Sequence, residues 1–307
     1  MNRDQGTSIV VPTFRSAETL ESLVARVLQS VNGKREVIIV DDGNTDDTWE
    51  KIKGIASLHD EVKGIRLCRN FGQHAALVAG IRIAQYPIVV TIDDDLQNPP
   101  EEIPKLLAAI GQEVDVVYGV SDSIQQSGWR RLSSKIAKAV FAKALGFESA
   151  VSSSSFRAFR TRLREGFSGD LGPSVSLDAL LTWSTNRFST VVVEHHQRRI
   201  GKSNYSFSKL NRFMLDTVTS YSTIPLRVAT SLGFVTTLFG VFVLFWVVGN
   251  AVFIGDSVPG FPFLAASIAV FSGVQLVVLG IIGEYLGKIH FRAMSKPTYT
   301  VSETTED

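Results

Sequence analysis

The chain has little of several things that would define other classes of protein. Cysteine occurs once in 307 residues, at Cys68, so no internal disulfide framework is available, which fits a reducing compartment. Neither sign of charge dominates. The formal net charge is +1, too small for a global field that would draw nucleic acid. The opening MNRDQGTSIVV has no long apolar stretch before its first strand-like run, and no secretory signal is read there. There is no P-loop, G-x-G-x-x-G or Ser-His-Asp signature, no internal repeat and no long low-complexity linker.

Charge is missing locally as well. None occurs from Val228 to Gly255 or from Phe261 to Gly283. Each stretch suffices to cross a hydrocarbon core of about 30 Å, which needs ~20 helical residues. A pair of buried core helices is the alternative, but core helices seldom stay uncharged on every face for so long. The link Asp256–Gly260 carries no positive charge, whereas Lys209, Arg212 and Arg227 precede the first stretch and Lys288, Arg292 and Lys296 follow the second. The positive-inside rule predicts a transmembrane hairpin, about 228–254 and 261–286, with both ends in the cytoplasm. The N-terminal two thirds stays on that side, and 291–307 reads as a cytoplasmic tail.

What is present begins with alternation. Ser8–Pro12, Glu36–Asp42, Val62–Arg69, Pro87–Asp93 and Val114–Val120 read as strands, rich in Val and Ile as strands covered on both faces are. Helices are predicted over Ala17–Ser30, after Thr45 or Asp46, over Gln73–Ala84 and over Glu101–Ile110. This spacing argues for an α/β domain, 1–205, with a mainly parallel sheet and ligands beyond the carboxyl ends of its strands. Further on, Trp129–Leu145 reads as a basic amphipathic helix, suited to anionic headgroups, an acceptor phosphate or plain solvent. Phe156–Arg160 and Ser189–Glu194 read as strands and Ser174–Asn186 as a helix. Ser206–Ile224 reads as an amphipathic helix at the membrane interface (206–226), or as a packed domain helix.

The chemistry concentrates in Asp93-Asp94-Asp95. Alternate residues of an extended chain point the same way, so Asp93 and Asp95 are expected to converge on one point. Two hard carboxylates at the end of a parallel strand suit Mg²⁺ or Mn²⁺ with a diphosphate; a solvated acidic turn capping the next helix is the competing reading. His195-His196 is not read as a zinc pair, because neighbours on a strand face opposite ways. His74 is read as a helix-start residue.

Six segments together resemble the dolichol-phosphate-mannose-synthase-like glycosyltransferases of glycosyltransferase family two, and in particular their bacterial branch of polyprenyl-phosphate (bactoprenol) enzymes. They are Val10-Val11-Pro12-Thr13-Phe14, Val40–Asp46 (VDDGNTD), Arg69-Asn70-Phe71-Gly72 with Ala75-Ala76, DDDLQNPPEE from Asp93, Gly201–Tyr205 (GKSNY) with Arg198 ahead of it, and Gly283–Gly287 (GEYLG). The resemblance implies a GT-A domain followed by two transmembrane helices, and inverting transfer of a hexosyl or pentosyl group from a nucleotide-sugar, by default a UDP-sugar, to undecaprenyl phosphate or another polyprenyl phosphate, in cell-envelope glycan assembly or modification. It implies donor contacts at Pro12, Thr13, Phe14, Asp41, Asp42, Arg69, Gly72, Asp93 and Asp94. Metal ligation falls to Asp95, Gln97 and Asp93, and acceptor-phosphate contacts to Arg131, Arg157, Arg198 and Ser203. Asp93, Asp95, Arg131 and Arg198 are the expected catalytic residues; arginine's planar fork suits phosphate oxygens. Since the family includes tetramers, self-association is also implied.

The chain departs from the family pattern at three places. Arg15-Ser16 stands where the family has Asn-Glu. Ser155 stands where it has an acid before Phe-Arg, and Asn204 where it has lysine. Asp178 is the alternative carboxylate, its competing role being that of a surface helix acid. The lost acids motivate a second reading, a non-catalytic membrane adaptor that binds nucleotide-sugar; GDP-mannose or dTDP-sugar donors are a third. A processive polysaccharide synthase is disfavoured by the missing Q-x-x-R-W motif.

Overall fold

A computed structural model describes residues 6–121, 154–169, 171–172, 175–196, 223–253, 260–294 and 296–306. The chain forms two units, Met1–Phe207 with Ser295–Asp307, and Ser208–Met294. Arg131, Arg198, Ser203, the Trp129–Leu145 helix and all but the last two residues of the Ser206–Ile224 helix lie outside the described residues.

The first unit is built on strands β1 (Thr7–Thr13), β2 (Arg35–Asp41), β3 (Val62–Leu67), β4 (Ile88–Thr91), β5 (Val116–Ser121), β6 (Arg157–Arg160), β7 (Phe188–Val193) and β8 (Val301–Thr304). They form one eight-stranded sheet in the order β7-β5-β6-β4-β1-β2-β3-β8. The pairs β1–β2, β1–β4, β2–β3 and β5–β7 are parallel; β3–β8, β4–β6 and β5–β6 are antiparallel. The expected parallel block is present at the centre. Two details differ from the expectation. β6 inserts between β4 and β5, and residues of the expected tail supply an edge strand.

Helices α1 (Leu20–Ser30), α2 (Thr48–Leu58), α3 (Gln73–Ile83), α4 (Ile103–Ala109) and α5 (Leu177–Ser184) cover the sheet. Side chains alternate across a strand, and the core divides accordingly. Ile9, Val11, Val37 and Ile39 pack with α1, α2 and α4 on one face, and Val10, Ile38 and Val40 with α3 and α5 on the other. Every residue from Ala75 to Ile81 is buried, because α3 lies close on the parallel strands. A Cβ at Gly80 would come within 2.5 Å of Val10 Cγ1.

The second unit contains helices α6 (Ile224–Phe253) and α7 (Gly260–Ala293), of 30 and 34 residues. Within them Ile224–Val247 and Val270–His290 are long and apolar enough to cross a membrane. Phe234, Phe242, Trp246, Leu276 and Leu286 are exposed, the reverse of a soluble core helix. The two helices approach closely at Gly240, where a Cβ would lie 3.0 Å from the Phe271 ring; small residues serve this purpose between membrane helices.

Candidate active site

Four loops meet beyond the carboxyl ends of the parallel strands. β1 ends in Thr13, buried, and Phe14, 44% exposed. Arg15 follows in the left-handed region at φ 59°, an unusual place for a long side chain. Its amide donates to Asn44 Oδ1 at 2.9 Å. Asn44 is the hub of the β2 loop: its own amide and its Nδ2 both donate to Asp41 Oδ1 at 2.8 Å, and Nδ2 also reaches the Thr13 carbonyl at 3.3 Å.

Asp41 is fully buried, and its Oδ2 has no hydrogen-bond partner. Burial raises its carboxyl above the usual range, against the two bonds from Asn44. Asp42 accepts the amides of Phe71 (2.7 Å) and Gly72 (2.9 Å), joining the β2 and β3 loops. These bonds favour its anion, and burial still raises its carboxyl. Gly43, at φ 67°, lets the two loops touch; a Cβ there would sit 2.2 Å from the Arg69 backbone carbon. Arg69 is exposed, its guanidinium 4.1 Å from the centre of the Phe71 ring.

The acidic run lies in a turn, not in extended chain, because β4 ends at Thr91. Strand alternation therefore does not set the directions of its carboxylates, yet Asp93 and Asp95 still lie close enough to repel one another, and donors from several segments reach the run. Asp93 accepts from Gln73 Nε2 (2.7 Å) and Ser155 Oγ (2.5 Å). Asp94 Oδ2 accepts the Phe14 amide at 3.2 Å, and the Asp94 carbonyl accepts Thr19 Oγ1 at 2.7 Å. Asp95 Oδ1 accepts the Gln97 amide at 3.1 Å across Leu96, itself at φ 56°.

Burial pushes the Asp93 carboxyl up to about 6, with repulsion from Asp95 and Asp94 adding to it and the Ser155 bond opposing it. Mutual repulsion of this kind is what a cation relieves. Among the described residues no group of three or more His, Cys, Asp or Glu forms a complete cage. An ion held at this turn would have to draw further oxygens from a substrate diphosphate, as Mg²⁺ does beside one or two carboxylates.

Beside this turn lies a buried polar network. Arg157, on β6, is 2% exposed and its Nη1 pairs with Asp178 Oδ1 on α5. The Tyr118 hydroxyl donates to the same oxygen at 2.8 Å. Burial, and then the Asp178 charge, raise the Tyr118 phenol far above its usual value, so it stays a neutral donor. His74, on α3, accepts the Leu177 amide at Nδ1 (3.3 Å), which leaves the proton of the neutral ring on Nε2. Burial lowers its pKa and favours that neutral form. Asp178 is therefore an interior partner, not a surface helix acid. At the end of the acidic turn His195 Nδ1 meets Asn98 Oδ1 at 3.2 Å, and the His196 amide donates to the Gln97 carbonyl at 2.8 Å.

Comparison with known proteins places this arrangement. Residues 8–167 match the family model of glycosyl transferase family 2. The chain belongs to glycosyl transferase family 2. This glycosyltransferase is 33% identical, over 98% of its length and 94% of the relative's, to undecaprenyl-phosphate 4-deoxy-4-formamido-L-arabinose transferase of Pectobacterium carotovorum subsp. carotovorum strain PC1. It is 32% identical, over 96% and 90% respectively, to the protein of the same name from Pseudomonas savastanoi pv. phaseolicola. In fold it resembles glucosyl-3-phosphoglycerate synthase from Mycobacterium tuberculosis, solved with Mn²⁺, UDP and phosphoglyceric acid. The TM-score is 0.52 at 20% identity, covering 70% of this chain and 77% of that one. The fold is the expected GT-A fold, a mixed α/β sheet followed by two apolar helices.

Within this glycosyltransferase, Pro12, Thr13, Phe14, Asp41, Asp42, Arg69, Gly72, Asp93, Asp94, Asp95 and Gln97 all come from the four convergent loops or the strand ends feeding them. Arg157 is turned to Asp178. Sequence reasoning missed the organising roles of Asn44, Gln73 and Thr19. Asn44 stood within a recognised motif, but nothing local to Gln73 or Thr19 announces a partner 20 or 75 residues away.

Proposed function

We propose that this glycosyltransferase moves a sugar, with inversion, from a nucleotide-sugar to a polyprenyl phosphate at the cytoplasmic face of the inner membrane, with a UDP-sugar as the leading donor. The observation that carries the reading is likeness along 98% of the chain to relatives named for undecaprenyl phosphate. Two helices long and apolar enough to cross a membrane suit an enzyme whose acceptor is a lipid. The chain leaves the α/β unit at Phe207 and rejoins it at Ser295, and β8 hydrogen-bonds within the sheet. Two crossings return a chain to the side it left, which supports a hairpin with both ends cytoplasmic, in agreement with the flanking Lys and Arg.

In this reading Pro12, Thr13, Phe14, Arg69 and Asp94 border the donor, and Asp41, Asp42 and Gly72 shape the wall behind it. Asp95 and Gln97, with Asp93, hold Mg²⁺ or Mn²⁺, which when bound neutralises charge developing on the leaving diphosphate. Arg131, Arg198 and Ser203 serve the acceptor phosphate, while Arg157 is engaged by Asp178 in the buried network. A phosphate oxygen forms the new bond to the anomeric carbon as the bond to the diphosphate oxygen breaks, and the nucleoside diphosphate departs with the electron pair. The attacking oxygen is already anionic near neutral pH, so no strong base is needed. The absence of an acid at Ser155 is compatible with turnover for that reason. The protein's task is positioning and charge stabilisation.

The test is a panel of UDP-, GDP- and dTDP-sugars, offered with a short polyprenyl phosphate, with and without Mn²⁺. One lipid-linked sugar per acceptor and metal-dependent release of nucleoside diphosphate are expected. Asp95→Ala should lower the rate by about 100-fold or more, the scale of removing one electrostatic stabiliser. Transfer at the unmodified rate would refute the metal assignment, and a polymeric product would refute the single-transfer reading.

A further inference from the structure

After α7 the chain returns to the edge of the sheet and is tied along β3. The Cys68 amide donates to the Thr300 carbonyl at 2.9 Å, the Gly64 amide to Thr305 Oγ1 at 2.9 Å, and the Thr305 amide to the Gly64 carbonyl at 3.1 Å. Because the returning chain runs antiparallel to β3, Glu303 on β8 and Glu306 just after it fall near opposite ends of β3. Glu306 pairs with Lys63 at 2.8 Å, near the start of β3. Glu303 lies at the other end, opposite Arg66.

Arg66 is held from two directions. Toward the interior, its Nε is 3.6 Å from Asp41 Oδ2, the buried oxygen without a hydrogen bond, and its Nη2 donates to the Asn44 carbonyl at 3.2 Å. Toward the tail, its Nη1 donates to Glu303 Oε1 at 3.3 Å. The other Glu303 oxygen accepts Trp49 Nε1 at 2.7 Å, and the Arg66 guanidinium lies 6.0 Å from the Trp49 ring centre. Glu303 thus fixes the arginine and the indole beside it. Arginine's planar fork is rigid enough to relay such a restraint. Asn44, at the far end, carries the Thr13 and Arg15 backbone.

We propose that Glu303 is a positioning residue for the donor pocket. Acting through Arg66, it keeps the Asp41–Asn44 loop, and with it the Thr13–Arg15 turn, in the nucleotide-binding arrangement. This rests on the donor-pocket reading above. The strand that follows the second apolar helix is then part of the machinery that orders the nucleotide site.

The experiment uses the full chain in detergent and measures affinity for UDP, GDP and dTDP with Mn²⁺ by titration calorimetry, alongside the melting temperature. Glu303→Ala and Glu303→Gln are each expected to weaken the best-bound nucleotide by about 5- to 20-fold. Glu306→Ala, which removes the ion pair to Lys63 just beyond β8, should leave affinity unchanged. Trp49→Phe should weaken it by less than Glu303→Gln, since the Arg66 pairing survives. Glu303→Gln can still accept from Trp49, so it reports the Arg66 link even if Glu303→Ala fails to fold. Wild-type affinity in Glu303→Gln would overturn the proposal, as would an equal loss in Glu306→Ala, which would mark a merely structural strand. A wild-type chain that binds none of the three nucleotides would instead overturn the donor-pocket reading beneath it.

Discussion

Arg157 shows how the interior sets the value of one charge. Its guanidinium is almost fully buried against Asp178, under the Tyr118 ring, with Nε lacking a hydrogen-bond partner. Removing one member of such a pair strands the other, at about 3–5 kcal/mol, whereas replacing both by apolar groups costs much less. Asp178→Ala should therefore lower unfolding free energy by about 3 kcal/mol, and Arg157→Met with Asp178→Leu should restore most of it, as read by denaturant titration. If the double variant is folded but inactive, the Arg157–Asp178 pair serves the reaction as well as the core. If it is folded and active, the pair's role is packing. Arg15 is the other singular residue. Asparagine tolerates the left-handed backbone that Arg15 adopts at φ 59° better than arginine does.

At the scale of elements, the insertion of β6 between β4 and β5 creates a junction centred on Asp115, which precedes β5. Its carboxylate meets Arg160 Nε at 3.2 Å, Arg162 Nη2 at 2.9 Å and Thr185 Oγ1 at 2.8 Å. Burial alone would raise this carboxyl, but the Thr185 hydroxyl and the Arg162 and Arg187 charges outweigh it and hold it below its usual range. A folded-state pKa below the unfolded one stabilises above the unfolded value, near 3.9, and the contribution disappears as pH falls through the folded value. Asp115→Asn should accordingly cost about 1.5–3 kcal/mol at neutral pH, and the difference from wild type should shrink below about pH 4. Melting curves at pH 7 and pH 3.5 check this; a difference independent of pH would show that the charge does not stabilise the junction.

For the whole molecule, the proposed hairpin can be read out with the chain's own chemistry. Cys68 is exposed on the first unit and is the only thiol. In intact cells a membrane-impermeant maleimide should leave it unlabelled until the membrane is permeabilised. Ser257→Cys in a Cys68→Ala background, placed in the link between the two apolar stretches, should label at once. The opposite pattern would invert the topology, and labelling of neither before permeabilisation would show that the helices do not cross.

The composition and order of the residues determined the α/β class, the parallel β1–β4 core, the two apolar helices and the acidic segment that follows β4. These follow from local signals: side-chain period, uncharged length and short motifs whose residues act beside one another. Tertiary structure alone decided that β6 would part β4 from β5, and that Arg157 would turn to Asp178. It also decided that Gln73, Ser155 and the Phe14 amide would reach into the acidic run, and that Val301–Thr304 would close the sheet. Trp49 and Glu303 meet across 254 residues, and such a pairing leaves no periodic trace at either end. It exists because β3 offers an unpaired edge of backbone donors and acceptors, and the returning chain satisfies them.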